Sequence, residues 1–298
     1  MRRTVEPLAV ATDSVAALPA ELAGELGVAV LPLTVTLDGV SYRDGIDLSP
    51  AAFYLRLVQS GGRALTSQPS AGEAHRFLKG LAERAERVLF LAVHGRLSGT
   101  ARTVRMAAAR LEEEAGPPRV EVVDTRTAAG AQALLATAAA RAAGRGEGAE
   151  AVRRRVLELR RRVRFEGVLE TLEYVARSGR VPWLAARAAG GLGVRLVIAL
   201  RHGRLLPAGA VGSLEAGLER MLEHVEREVE TEGGGEGARL HAAVLHAANA
   251  GLAEEARRRL ERLRPTELWT APMTPVIGAY TGPGALALAW YVEPAGRG

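Results

Sequence analysis

Val88-Leu89-Phe90-Leu91-Ala92-Val93 runs directly into His94-Gly95-Arg96-Leu97-Ser98-Gly99-Thr100, and a helical pattern opens behind it. Six consecutive apolar residues fit a strand buried on both faces, as in a parallel sheet covered by its crossover helices. The polar, turn-forming cluster then stands at the carboxyl end of that strand. The same plan occurs twice more, in Leu8 to Ala11 followed by Thr12-Asp13-Ser14 and in Val120 to Val123 followed by Asp124-Thr125. Three repeats predict an open parallel-sheet α/β domain in the first half of the chain. Ligands of such sheets bind beyond the carboxyl ends of the strands, so the three polar clusters are expected along one crevice.

Between the first two repeats lies a rim insertion near residues 28–65. Val28 to Leu37 reads as one strand, Asp38-Gly39 as a hairpin turn, and Ser49-Pro50 as an N-cap and first helical residue. Val152, Val156, Leu159 and Val163 recur at helical spacing after the Gly144–Gly148 loop. Beyond them the rhythm changes. Val194 to Leu200 and Leu205 to Val211 flank the turn residues His202-Gly203, and a helix is expected from Ser213 to Glu230. A strand over Leu240 to His246, a helix over Ala250 to Leu263 and a strand over Ala285 to Val292 complete the pattern. We therefore expect two domains, residues 1–160 with the parallel sheet and residues 161–298 as an α+β unit with a largely antiparallel sheet, with the ligand between them.

Composition removes several function classes. The 298 residues include no Cys, which excludes disulfides, thiolate metal sites and a cysteine nucleophile and fits a reducing cytoplasm. The formal charge is +5, but Lys79 is the only lysine and the arginines are spread along the chain. With 4% aromatic residues and no basic tail, no nucleic-acid partner is expected. The uncharged run Leu268 to Val292 is broken by Pro272, Pro275, Gly278, Gly282, Pro283 and Gly284, and reads as a turn-rich core segment and not a membrane span. There is no P-loop and no His-Glu-x-x-His, and His241 and His246 fall on opposite faces of one strand, so no metal is expected. Gly190-Gly191-Leu192-Gly193 leads into a strand instead of following one, which makes it a turn and not a dinucleotide loop.

Hydroxyl-bearing turns remain as candidates. Thr66-Ser67-Gln68-Pro69-Ser70 sets two hydroxyls ahead of a capping serine, and Ser98-Gly99-Thr100 opens a helix after a buried strand, where helix-start N–H groups favour an anion. Gly99 is read as admitting a ligand close to the backbone. Arg153 to Arg164 holds seven arginines in twelve residues. It reads as a solvated helix face, with a transient dock for an acidic partner or an anionic membrane surface as the other reading. The residues leave open an enzyme that uses Ser98 or His94 on a small acidic or phosphorylated ligand in the crevice.

Five motifs in order carry a resemblance. Thr12-Asp13-Ser14, Thr66-Ser67-Gln68-Pro69-Ser70, Leu97-Ser98-Gly99-Thr100, Leu172-Glu173-Tyr174 with Ser178-Gly179-Arg180, and Pro275 through Gly284 together resemble the DegV family over nearly the whole chain. The resemblance implies a two-domain, cytoplasmic, non-enzymatic carrier that holds one long-chain fatty acid, needs no cofactor or metal, and serves a kinase catalytic subunit in phospholipid metabolism. It implies that Thr66 and Ser98 hold the carboxylate, with Ser67, Gly99, Thr100, Arg180 and Tyr280 in the supporting head-group network. Tyr280 departs from the histidine usual at its place in the motif. A phenol donates a hydrogen bond but carries no positive charge near neutral pH.

Overall fold

The structure is a computed structural model describing residues 6–61, 63–116, 120–179, 195–201, 203–233 and 238–294. Its first half contains strands β1 (Glu6–Asp13), β2 (Ala29–Leu31), β3 (Thr34–Leu37), β4 (Val40–Arg43), β5 (Ala64–Ser67), β6 (Ala85–Ala92) and β7 (Val120–Asp124). Helices α1 (Ala20–Glu25), α2 (Pro50–Gln59), α3 (Ala71–Ala82), α4 (Thr100–Ala115), α5 (Ala129–Gly144) and α6 (Ala149–Arg162) accompany them. A four-stranded parallel sheet runs in the order β2-β1-β6-β7. Val88 to Ala92 are buried throughout, as a strand covered on both faces requires.

The expected single strand over Val28 to Leu37 is two strands. Proline has no N–H for a ladder, and the Leu33 N–H that follows it is taken by the Ser14 hydroxyl at 3.0 Å. At Pro32 the chain therefore leaves the parallel sheet and enters a separate antiparallel sheet, β4-β3-β5. Asp38 and Gly39 both take positive φ, 53° and 79°, which is the hairpin turn foreseen there. The Ser49 hydroxyl caps α2, and Ser70 and Glu73 form a reciprocal capping box on α3.

The second half comprises β8 (Arg164–Leu169), α7 (Glu173–Arg177), β9 (Arg195–Arg201), β10 (Arg204–Val211), α8 (Leu214–Gly233), β11 (Arg239–His246), α9 (Ala250–Glu261), β12 (Glu267–Pro272), α10 (Pro275–Thr281) and β13 (Leu286–Glu293). Its sheet has the order β10-β9-β8-β13-β11-β12, antiparallel except for the β11–β12 pair. The run from Leu268 is not merely turn-rich core: it supplies most of β12, all of α10 and most of β13. The Arg-rich helix stops at Arg162, so Arg164 begins a strand. Among the described residues no helix is long and apolar enough to cross a membrane.

Helix α5 joins the two halves. It packs on β1 and β6 of the first sheet and on β11 and β13 of the second, with nearly every residue buried. Its alanines permit this close approach from two sides. A Cβ on Gly130 would meet Ala289 at 3.1 Å and Leu245 at 3.2 Å.

Candidate functional site

The carboxyl ends of β1 and β6 open on a cavity of about 530 Å³, a usual size for a small-molecule site. The first half contributes Val15, Leu33, Val93 and the turn after β6, and the second half contributes Phe165, Leu169, Ile198 and Leu200. Most of this wall is apolar. Its polar part includes Thr66, Ser67, Gln68, Ser98 and Tyr280, with Arg96 beside them.

Thr66 sits at the end of β5, opposite Val35 of β3, and its hydroxyl hydrogen-bonds to the Tyr280 hydroxyl. Those two residues lie 214 positions apart, so the bond joins the rim sheet to α10. Helix α10 is itself seated closely on α2. A Cβ on Gly278 would lie 2.6 Å from the Phe53 ring and 2.8 Å from the Tyr54 hydroxyl, which explains glycine at that position.

Ser98 lines the cavity, and its Oγ lies 2.8 Å from the hydroxyl of Thr100, which is wholly buried behind it. Thr100 therefore orients Ser98 and does not itself face the cavity. Gly99 also lines the cavity. The space a Cβ would occupy is filled by the Gln68 side chain, whose amide nitrogen donates to Thr103 Oγ1 at 2.6 Å. Gln68 thus ties the loop after Thr66 to the start of α4 and keeps the two candidate hydroxyl turns together. Arg180 lies outside the described residues, as do Gly190 to Gly193. Ser178 lines the cavity and donates to the Val175 carbonyl at 2.6 Å. Tyr174 packs over Gly282, where positive φ of 68° and the ring together favour glycine.

Thr12-Asp13-Ser14 stands behind the wall. Asp13 accepts the N–H groups of Val93 at 2.8 Å and Val15 at 3.2 Å, Ser14 accepts that of Leu33, and Asp44 accepts that of Val276 at 3.0 Å. All four residues so held line the cavity. Asp44 was not anticipated, and neither was Arg96, although Arg96 stands two residues before Ser98 in the very turn that was singled out. Asp13 and Asp44 are buried with neutral donors around them. Burial pushes each carboxyl up to about 6, against the smaller lowering effect of those hydrogen bonds.

His94 does not join the cavity wall. Its Nδ1 lies 3.2 Å from Asp124 Oδ1, while Nε2 is buried without a hydrogen-bond partner against Gly203, where a Cβ would come within 2.2 Å. Ser98 Oγ bonds to Thr100 and not to His94, so the structure assembles no nucleophile–base pair from these residues. Among the described residues no cluster of three or more His, Asp or Glu could hold a metal ion.

The family model described as "Uncharacterised protein, DegV family" matches residues 7–293. This chain belongs to the DegV family. A DegV domain-containing protein of Deinococcus radiodurans is 31% identical over 96% of this chain and 98% of its own. A DegV family protein from Thermus thermophilus, whose structure is described as showing fatty acid binding, is 29% identical, covers 96% of this chain and 100% of its own, and superposes with a TM-score of 0.87. A hypothetical protein from Thermotoga maritima, described as revealing fatty acid binding function, is 27% identical with a TM-score of 0.79, over 97% and 100% of the two chains. This architecture, a parallel sheet and a mixed sheet with a small antiparallel rim sheet, is thus the DegV architecture.

Proposed function

We propose that this protein binds one long-chain fatty acid in the 530 Å³ cavity and presents its carboxylate to a partner kinase for acyl-phosphate formation. The observation that carries the reading is the cavity itself, a mainly apolar wall drawn from both halves that meets the hydroxyls of Thr66, Ser98 and Tyr280. About fifteen buried methylenes release on the order of 12 kcal/mol gross, which leaves tight binding after association costs are deducted. Thr66 and Ser98 hold the carboxylate, Tyr280 bonds to Thr66, and Ser67, Gly99, Thr100 and Arg180 complete the surroundings. Arg96 supplies a positive charge close to Ser98 that offsets the histidine missing at position 280.

In this reading the chain is a carrier without a resident cofactor, working in the cytoplasm. Phosphoryl transfer belongs to the kinase subunit, and contact with a membrane surface is transient. We place the domain division at residues 160/161, where α6 is ending and the second sheet is about to begin. Native mass spectrometry of the purified protein, followed by organic extraction, tests the central claim. The expected result is a mass surplus that disappears on extraction and is recovered as long-chain fatty acid. Protein that is unliganded and takes up no added fatty acid overturns it.

A further inference from the structure

The last turn of α6, the loop after β7 and the end of β9 converge on a second concavity, of about 420 Å³. Arg126, Arg160, Arg161, Arg164 and Arg201 all line it, and none of its lining residues is acidic. Two of the five guanidinium groups are matched from outside. Arg164 reaches Glu228 at 2.9 Å, and Arg201 reaches Glu166 at 3.2 Å. Arg126, Arg160 and Arg161 form no ion pair with any carboxylate among the described residues. Arg160 donates to the backbone carbonyl of Asp124 at 2.8 Å, while the Asp124 carboxylate is engaged by His94 and by the N–H groups of Gly95 and Arg126.

The first half of the same helix is treated differently. There Arg153 pairs with Glu121 and Glu150, and Arg155 pairs with Glu293. A helix carboxyl terminus favours nearby cations, which accounts for arginines in the last turn of α6. It does not account for Arg126 and Arg201, which arrive from other elements. Arg126 also holds a left-handed φ of 55°, uncommon for a residue with a side chain and fixed here by the Asp124 carboxylate on its N–H. Burial, and after it the neighbouring Arg126, hold the Arg160 guanidinium below its ordinary value against the smaller raising effect of Asp124.

We propose that this groove is an anion site that takes a phosphate group, carried either by a soluble phosphate monoester or by a phospholipid head group. Planar guanidinium forks match phosphate oxygens two at a time, and a dianion with three free oxygens accepts from several forks at once. The groove is larger than a bare phosphate, and Val163 and Leu200 offer an apolar margin for the group that bears it. Leu200 also lines the fatty-acid cavity, so the two sites share a wall, but the anion site does not depend on what fills that cavity.

The test has two arms at constant ionic strength in chloride. Calorimetry with inorganic phosphate and glycerol 3-phosphate probes the soluble source, and co-sedimentation with phosphatidylglycerol vesicles, against phosphatidylcholine vesicles, probes the lipid source. Replacing Arg126, Arg160 and Arg161 together by Gln is expected to weaken binding at least tenfold in the arm that shows it. Should that variant fail to fold, Arg161→Gln alone, at an exposed position, is expected to weaken it about threefold. Binding confined to the soluble arm assigns a phosphate monoester, and binding confined to the anionic vesicles assigns a head group. Equal affinity of wild type and variant, or no binding in either arm, overturns the proposal. Fatty acid extracted from the same preparations is read separately and is expected to be unchanged.

Discussion

Two buried acidic clusters in this molecule solve the same problem in opposite ways. Glu267 and Glu293, where α5 and α6 meet the second sheet, are surrounded by cations: Arg141 and His241 reach Glu267, while Arg155 and Arg239 reach Glu293. Burial raises the Glu267 carboxyl, but His241 and Arg141 outweigh it and the net shift is downward; at Glu293 the nearby His241, its Nε2 3.7 Å away, leads in the same direction. Asp13 and Asp44 have only neutral donors and are pushed up to about 6. Charge matched with charge marks the joint between the two sheets. Charge held by backbone N–H groups marks the frame of the cavity, whose polar part adds hydroxyls and Arg96.

The largest expected effect breaks the joint. Glu267→Ala leaves Arg141, a half-buried group, without its carboxylate and His241 with Glu293 alone, so a loss at or below the lower end of the roughly 3 to 5 kcal/mol typical of a broken buried pair is expected. Urea denaturation should show that loss, while fatty-acid affinity measured below the transition stays at the wild-type value. A ligand-binding defect without a stability defect would assign the cluster to the cavity instead.

The complementary change removes the hydroxyl donors. Thr66→Val combined with Ser98→Ala should leave the unfolding midpoint within a small margin of wild type and lower fatty-acid affinity by about 3 kcal/mol, more than a hundredfold, since hydrogen bonds to a charged group are worth roughly 1.5 to 3 kcal/mol each. Wild-type lipid occupancy in that variant would remove these residues from the carboxylate site.

A third effect separates the clusters by pH. Asp13 and Asp44 have folded values of about 6 against 3.8 for the free side chain. The folded state therefore binds their protons more tightly, and their contribution to stability, whole below 3.8, is lost as pH rises from 3.8 through about 6. His241 acts in the same direction. Burial alone would depress it, but Glu267 and Glu293 raise it above 6.5, so its contribution is present below 6.5 and fades as pH rises through the folded value. The two glutamates, lowered from 4.5, contribute above that value and lose their contribution as pH falls toward their folded values. The aspartates' contribution is whole below 3.8 and is lost between 3.8 and about 6, on the order of 2 to 3 kcal/mol each, so stability should peak near the overlap with the glutamates, between about 3.8 and 4.5, and above about 6 change further only as His241 titrates. Asp13→Asn with Asp44→Asn should flatten the alkaline limb and leave the acid limb in place. A urea midpoint that climbs from about pH 4.5 to about pH 6 contradicts this assignment.

The same contrast explains what the sequence makes legible. β1, β6 and β7 are visible because apolar runs and the polar turns behind them are local signals, and Ser98 is visible because it sits in such a turn, whereas Thr66 belongs to the strand β5 that precedes one. The break at Pro32 is visible only as a proline; that Leu33 answers to Ser14 is a tertiary fact. Likewise Asp44 reaches Val276 across 232 residues, and no spacing rule connects them. Arg126, Arg160 and Arg201 come from three elements, so a reading along the chain finds an arginine-rich helix but not the groove.

The smallest expected effect concerns Tyr280, a neutral hydroxyl in the polar part of the cavity wall. Its hydroxyl is bonded to Thr66, so Tyr280→Phe deletes one neutral link and should weaken fatty-acid binding by about 1 kcal/mol, roughly fivefold. Tyr280→His restores a group that can carry a charge. Binding should be retained near pH 8, where the imidazole is neutral, and strengthen near pH 5.5, where an imidazolium would stand beside the carboxylate. That pH dependence would bring this part of the wall closer to the charge-matched kind found at Glu267 and Glu293. If Tyr280→Phe binds as wild type at both pH values and Tyr280→His shows no gain at the lower one, the Thr66–Tyr280 bond shapes the rim without acting on the carboxylate.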